Sequence, residues 1–254
     1  MLVSHIIPCL DGIGMTMQCL ERLDRYDKSD KEVILIDDGS VEKYSSYFYE
    51  MSYVVDIVLE HESNMGFPKS VNDGILNANG DLIAIWNNDL MVSSNWLEPI
   101  IQHLENDKEC VYGMLSPIIY NRWVGDYVEF EEFQQLFPDG WNNGKSHAII
   151  DFLKGMPWVF RREVFDKVGL FDERFVKTYY EDDDFLLRMA INGYKHGSVE
   201  NTAVFHYNQY TTRNVLEPKI GQGFIQENKQ RFIDKWGKTP PAINIEEVYR
   251  TGTL

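Results

Sequence analysis

An α/β fold with a mostly parallel central sheet follows from two features of the sequence. The short apolar runs Val3–Ile7, Val33–Ile36 and Leu82–Trp86 each stop abruptly at a proline or a polar cluster. Stretches with helical spacing of apolar residues lie between them. Runs so short and so apolar are strands buried on both faces, as in parallel sheets covered by helices. The 254 residues suffice for one large α/β domain or two small ones.

In order, Val3–Ile7 is the first strand, halted by Pro8, and Asp11-Gly12 makes a turn. Ile13, Met17 and Leu20 then recur at helical spacing. Gly12 and Gly14 begin a dinucleotide fingerprint, but Met17 stands where its third glycine is required. Val33–Ile36 is the second strand and ends in Asp37-Asp38-Gly39-Ser40. A carboxylate there can accept from a nucleobase N–H or a ribose hydroxyl. A capped turn would explain Gly39 and Ser40 but not two adjacent acids. Val54–Leu59 is the third strand. Pro68 then suits the first turn of a helix whose apolar face is Val71, Ile75 and Leu76 and whose end is Asn79-Gly80.

The stretch around which the chain is organised comes next: Leu82–Trp86 running into Asn87-Asn88-Asp89. Ligands of open α/β sheets sit beyond the carboxyl ends of such strands, so Asp89 stands where a bound anion and its metal would lie. The other reading is an Asx turn that merely ends the strand. Asn95 is expected to cap a helix carrying Trp96, Ile100, Ile101 and Leu104 inward.

A formal net charge of −16 argues against nucleic-acid phosphate or an anionic membrane surface as the main partner. It also makes a divalent cation the natural means of holding a polyanionic ligand. No apolar segment approaches the length of a membrane span, and Met1–Ile7 lacks the basic region of a signal peptide. Cys9, Cys19 and Cys110 are odd in number and lack metal spacing, which suits a reducing cytoplasm.

Four motifs now stand in order: Pro8-Cys9-Leu10-Asp11, Ile36-Asp37-Asp38-Gly39-Ser40, Asn64-Met65-Gly66-Phe67 and Trp86-Asn87-Asn88-Asp89. In this order and spacing they resemble the nucleotide-binding half of family 2 glycosyltransferases with the GT-A fold. Those proteins carry Pro-x-Tyr-Asn, Val-Asp-Asp-Gly-Ser, Asn-x-Gly-Phe and then Asp-x-Asp or Asn-x-Asp. The departures are Cys9-Leu10-Asp11 in the first motif and Asn87 for the first acid of the last. The Asn-Asn-Asp form resembles rhamnosyl- and hexosaminyl-transferase-like members and leaves Asp89 as the carboxylate metal ligand of that motif. The resemblance covers about residues 3 to 210.

In the second half, Glu181, Asp182, Asp183 and Asp184 fill the first turn of a helix whose inner face carries Phe185, Met189, Leu186 and Ala190, with Gly193 as its stop. The helix N-terminus favours ionised carboxylates, while like-charged neighbours make ionisation harder. By residue chemistry alone the four acids either cap the helix or include a proton acceptor. Gly169-Leu170-Phe171-Asp172-Glu173 followed by this run looks like the acceptor-side region of the same family, where the Glu-Asp pair contains the base. The resemblance implies Asp182 as catalytic base, Glu181 as the second candidate, and Asp183 and Asp184 as capping groups.

His206 ends the strand-like run Thr202–His206, and a lone histidine there is a satisfied structural group or a ligand. The resemblance implies that it completes a metal site with Asp89. One imidazole and one carboxylate suit Mn²⁺, and Mg²⁺ less well. Residues 208–224 read as a mobile loop that closes on donor, with Arg213 and Lys219 as diphosphate contacts. Gln226–Trp236 reads as a helix ending at Gly237, followed by a loosely tied tail beyond Pro240-Pro241. Trp123, Tyr127, Phe130, Phe133, Phe137 and Trp141 belong to an acceptor site or to a core-packing insert.

The expected protein is thus a single GT-A-type, Rossmann-like domain over residues 1–237, with a tail at 238–254. Residues 1–110 bind the nucleotide sugar, 111–210 present the acceptor and catalytic groups, and 211–237 form a loop and terminal helix. The expected reaction is inverting, metal-dependent transfer from a nucleoside diphosphate sugar, UDP- or dTDP-type favoured, to a hydroxyl of a glycan, lipid-linked or protein acceptor. Pro8, Asp11, Asp37, Asp38, Asn64, Gly66, Lys69, Asn87 and Asn88 are the expected donor contacts. A role in polysaccharide biosynthesis is the family-level expectation. The alternatives are a non-catalytic nucleotide-sugar-binding protein and a sugar-phosphate nucleotidyltransferase. The latter should show a Gly-rich, Arg-containing loop after its first strand, which Cys9–Met15 lacks.

Overall fold

Strands β1 (Leu2–Cys9), β2 (Asp30–Asp37), β3 (Ile57–Glu60) and β4 (Leu82–Ile85) pair in parallel in the order β3-β2-β1-β4. They belong to a computed structural model that describes residues 1–121, 149–150, 156–207 and 222–254. The aromatic residues singled out between 123 and 141, and Arg213 and Lys219, lie outside the described residues.

Beyond β4 the sheet becomes mixed. Strand β8 (Trp158–Arg161) is antiparallel to β4 and to β6 (Tyr112–Asn121), and β6 is parallel to β9 (Lys195–His206). The two-residue strands β5 (Leu90–Met91) and β7 (Ile149–Ile150) add to β9 antiparallel. The longest ladders, β1 with β2 and β6 with β9, are parallel. Both halves of the chain therefore contribute to one sheet.

The helices are α1 (Ile13–Tyr26), α2 (Phe48–Met51), α3 (Phe67–Asn77), α4 (Glu98–Asn106), α5 (Glu163–Val168), α6 (Glu181–Ile191), α7 (Gly223–Trp236) and α8 (Ile245–Thr251). Helix α3 packs on β1 and β2. Its Gly74 makes that approach possible, because a Cβ there would lie 2.4 Å from Ile6 Cγ2. The strands read from the sequence form the main core: Ile6, Ile7, Val33 to Ile36 and Ile83 to Trp86 are fully buried. Each such aliphatic side chain contributes about 1.5–3 kcal/mol. One polar group in this core, His5, faces a polar atom with each ring nitrogen. His5 Nε2 lies 2.9 Å from Asp27 Oδ2, and its Nδ1 accepts from Trp86 Nε1 at 2.9 Å. Burial would raise the Asp27 pKa, but hydrogen bonds from His5 and Ser29 outweigh it and hold the carboxyl down at about 2.

Several local expectations change. Pro8 does not halt β1 but pairs opposite Ile36. Ile6 O accepts from Trp86 N, so Pro8, two residues on, turns its missing N–H to the same side. There β4 has already ended its register at Ile85. The third strand begins at Ile57, because Val54 N and Val55 N are bonded to Met51 O in the turn after α2. Asn95 caps nothing: it sits at φ 60, and the helix starts at Glu98 with Pro99 in its first turn. The tail after Gly237 is held down. Val248 of α8 is buried with Leu187, Ala190 and Phe232, forming a second core of α6, α7 and α8. Among the described residues no helix is long and apolar enough to cross a membrane.

Candidate active site

Two residues far apart in sequence meet at the far edge of the sheet. Strand β5 pairs with the end of β9 so that Leu90 lies opposite His206, and Tyr207 N donates to Asp89 O at 3.1 Å. This register sets the Asp89 carboxylate beside the imidazole, with Oδ1 2.9 Å from His206 Nε2. Asn87 Nδ2 lies 3.3 Å from the same nitrogen. Asp89 and His206 are 3% and 8% exposed, so both are largely withdrawn from water. The pair fits a divalent ion: two donors at about 2.1 Å on adjacent octahedral vertices lie about 3 Å apart. No cluster of three or more His, Cys, Asp or Glu forms among the described residues, so the remaining positions would fall to ligand oxygens and water.

The strand ends are joined by a hydrogen-bond chain. Asn88 Nδ2 donates to Thr16 Oγ1 at 2.9 Å, and Thr16 Oγ1 is 2.8 Å from Tyr44 OH. Tyr44 OH gives its proton to Asp11 O at 2.8 Å, so Thr16 is the donor to Tyr44. Asp11 Oδ1 accepts from Val41 N, and Asp11 N donates to Ser40 Oγ, both at 2.8 Å. Asp37 is fully buried and accepts from Ser40 N at 2.8 Å and Tyr44 N at 3.2 Å. Thr16 and Tyr44 were not singled out from the sequence; a hydroxyl on an amphipathic helix gives no signal of its partner.

Asp38 organises the next loop. Its carboxylate accepts from Met65 N at 2.7 Å and Gly66 N at 2.9 Å, and lies 2.8 Å from His61 Nδ1. His61 Nε2 faces Asp73 Oδ2 at 2.9 Å, and Asp73 is also paired with Lys69. Lys69 therefore already has an anionic partner within α3. Asn64 accepts from Lys177 Nζ through its main-chain oxygen at 2.6 Å and Oδ1 at 3.0 Å. Gly66 sits at φ 98, and a Cβ there would lie 2.7 Å from Lys177 N. The loop of the first half is thus in backbone contact with the segment that leads into α6.

All four acids occupy the first turn of α6, as the sequence implied, but in unlike surroundings. Asp184 is fully buried and bound by Arg188, Lys235 and the Trp236 Nε1–H. Glu181 is 4% exposed, accepts from Thr178 Oγ1 at 3.3 Å, and its Oε2 has no partner among the described residues. Burial, followed by the charge of Asp182, pushes the Glu181 pKa well up. Asp182 and Asp183 are half-buried and line a cavity of about 1430 Å³ together with Tyr179, Tyr180, Lys229 and Tyr249. The burial of Glu181 and the exposure of Asp182 to this cavity are properties of packing that no sequence spacing announces.

The geometry agrees with what comparison shows. Residues 4–169 match the family described as "Glycosyl transferase family 2". The glucosyl-dolichyl phosphate glucuronosyltransferase of Haloferax volcanii is 26% identical over 145 residues, 56% of this chain and 46% of that protein. The chain therefore spans less than half the length of that relative. The crystal structure of GalNAc-T7 with UDP, GalNAc and Mn²⁺ superposes with a TM-score of 0.70 at 16% identity, covering 98% of this chain and 54% of that one. The mannosyltransferase PcManGT of Pyrobaculum calidifontis, in complex with GDP-Man and Mn²⁺, gives a TM-score of 0.66 at 16% identity over 98% and 70% of the two chains. The fold is the GT-A fold of these structures. By its strands, its motifs and this match over most of its length, the chain belongs to glycosyl transferase family 2.

Proposed function

We propose that the protein is an inverting glycosyltransferase that moves a sugar from a nucleoside diphosphate sugar to an acceptor hydroxyl. A UDP- or dTDP-type donor and a rhamnosyl- or hexosaminyl-transferase-like specificity are favoured by the Asn87-Asn88-Asp89 form of the motif. The observation that carries the reading is the 2.9 Å approach of Asp89 and His206. It gives one carboxylate and one imidazole at the carboxyl end of the sheet, where a diphosphate would lie. The Mn²⁺ and nucleotide sugars named for the neighbouring structures support the same chemistry here. The chain's three free cysteines suit a cytoplasmic reaction.

Asp89 and His206 would hold the metal, and Asn87 sits beside them. Bound there, a divalent cation offsets the charge that grows on the leaving diphosphate. Pro8, Asp11, Asp37 and Asp38 form the nucleoside edge, the last three by ordering the backbone that faces it. Asn64, Gly66, Lys69 and Asn88 complete the donor side. Asp182 removes the proton of the acceptor hydroxyl as that oxygen bonds to the anomeric carbon and the bond to the diphosphate breaks on the opposite face. A single displacement inverts the centre and requires no carboxylate nucleophile. The acceptor is a glycan, a lipid-linked sugar or a protein side chain.

The test is a panel of UDP-, dTDP- and GDP-sugars, with and without Mn²⁺, read as nucleotide release and as transfer to candidate acceptors. Asp182→Asn should abolish transfer, by about a thousandfold or more, with donor binding within a few-fold of wild type. Full transfer by that variant would refute the base assignment.

A further inference from the structure

Among the described residues, Lys177, Tyr179 and Tyr180 adopt φ values of 65, 76 and 74. Three non-glycine residues in the left-handed region within four positions are a local strain that only surrounding contacts can hold. Those contacts come from two sides.

From behind, Asn228 of α7 is fully buried. Its Nδ2 donates to the carbonyl oxygens of Val176 at 2.8 Å, Thr178 at 3.0 Å and Tyr179 at 3.0 Å. Its Oδ1 accepts from Val176 N at 3.0 Å and from Arg231 Nη1 at 2.9 Å. Every proton this buried amide can donate is thus spent on one loop. From the front, Phe67 N donates to Lys177 O at 2.6 Å, and Lys177 Nζ donates to Asn64. The far end of the loop is continuous with α6, since Asp184 N donates to Tyr180 O at 3.0 Å.

We propose that residues 176–180 are a strained strap between the two halves of the enzyme, and that Asn228 and Lys177 are positioning residues. By holding the strap they fix where the first turn of α6, and with it Asp182, stands relative to the Asn64–Phe67 loop. The inference rests on the reading of Asp182 as the base. A strap that sets a reacting distance must be held this closely, because small misplacements of a catalytic group cost large factors in rate.

The experiment uses the full chain, the donor that turns over in the panel, and two variants. Asn228→Asp keeps the shape of the side chain but replaces the donor to three carbonyls with an acceptor. Lys177→Met, at a half-buried position, keeps length while removing only the bonds to Asn64, so it carries the test alone if Asn228→Asp does not fold. In both, kcat for transfer should fall by about 10- to 100-fold. In Asn228→Asp, which touches no donor contact, donor KM and the Kd for UDP with Mn²⁺ should stay within about twofold; in Lys177→Met, whose partner Asn64 is on the donor side, the fall in kcat should exceed any rise in donor KM. Amide exchange should quicken across residues 176–181. Wild-type kcat despite faster exchange, unchanged exchange, or a raised donor KM with unchanged kcat would each overturn the proposal. A fully active Asp182→Asn would fell the base assignment. An inactive Asp182→Asn beside fully active Asn228→Asp and Lys177→Met would fell the strap alone.

Discussion

Glu181 and Asp182 are adjacent acids with different environments, and that difference favours Asp182 over Glu181 as the proposed base. The Glu181 carboxyl is enclosed with one oxygen unpartnered among the described residues, whereas Asp182 opens on the cavity. Because burial and the charge of Asp182 raise the folded-state pKa of Glu181 above its ordinary 4.5, the folded state holds a proton that the unfolded chain releases. Stability therefore falls as pH rises from 4.5 toward the folded value. Glu181→Gln, which keeps the shape without the ionisation, should match wild type in urea unfolding below pH 4.5 and exceed it at about pH 8. Equal stability at both pH values would show that Glu181 is not held neutral. At this scale the sequence placed the four acids in the first turn of α6, since an acid run before an amphipathic stretch marks a helix start. It could not reveal that Asp37 and Asp38 spend their carboxylates on Ser40, Tyr44, Met65 and Gly66 amides, because those partners are fixed by loop geometry.

Among elements, the shortest matter most to the site. Strand β5 has two residues, too few to show any alternation, yet its pairing with β9 brings Asp89 to His206. Parallel strands β2 and β4 were legible because burial on both faces leaves an unbroken apolar run, and β1 from Val3, Ile6 and Ile7 on either side of the buried Ser4 and His5. Strands β6 and β8 join through pairings distant in sequence, which no local pattern encodes. Helix α8 was hidden by its length of seven residues, although Ile245, Val248 and Tyr249 stand at helical spacing. Tyr249 OH, 2.8 Å from His196 Nδ1, ties α8 to the start of β9 as well. Val248→Asp should destabilise the protein by about 2 kcal/mol or more in urea unfolding, since a charge would enter an apolar cluster. An unchanged midpoint would mean that α8 adds nothing to the fold.

For the whole molecule, a net charge of −16 sets the problem that any nucleotide-sugar enzyme of this composition must solve. An anionic donor would have to approach an anionic protein, and among the described residues the sheet end offers one carboxylate and one imidazole. The bulk charge alone pointed to a cation, and the fold supplies two converging donors for it. The central claim is that these two side chains couple metal to nucleotide. It is tested most directly by calorimetric titration of UDP, dTDP and GDP with and without Mn²⁺, using wild type, Asp89→Asn and His206→Ala. The account predicts that Mn²⁺ tightens at least one nucleotide by about tenfold or more in wild type, and that both variants lose this gain. If Mn²⁺ tightens none of them, or tightens them equally in the variants, the account is contradicted.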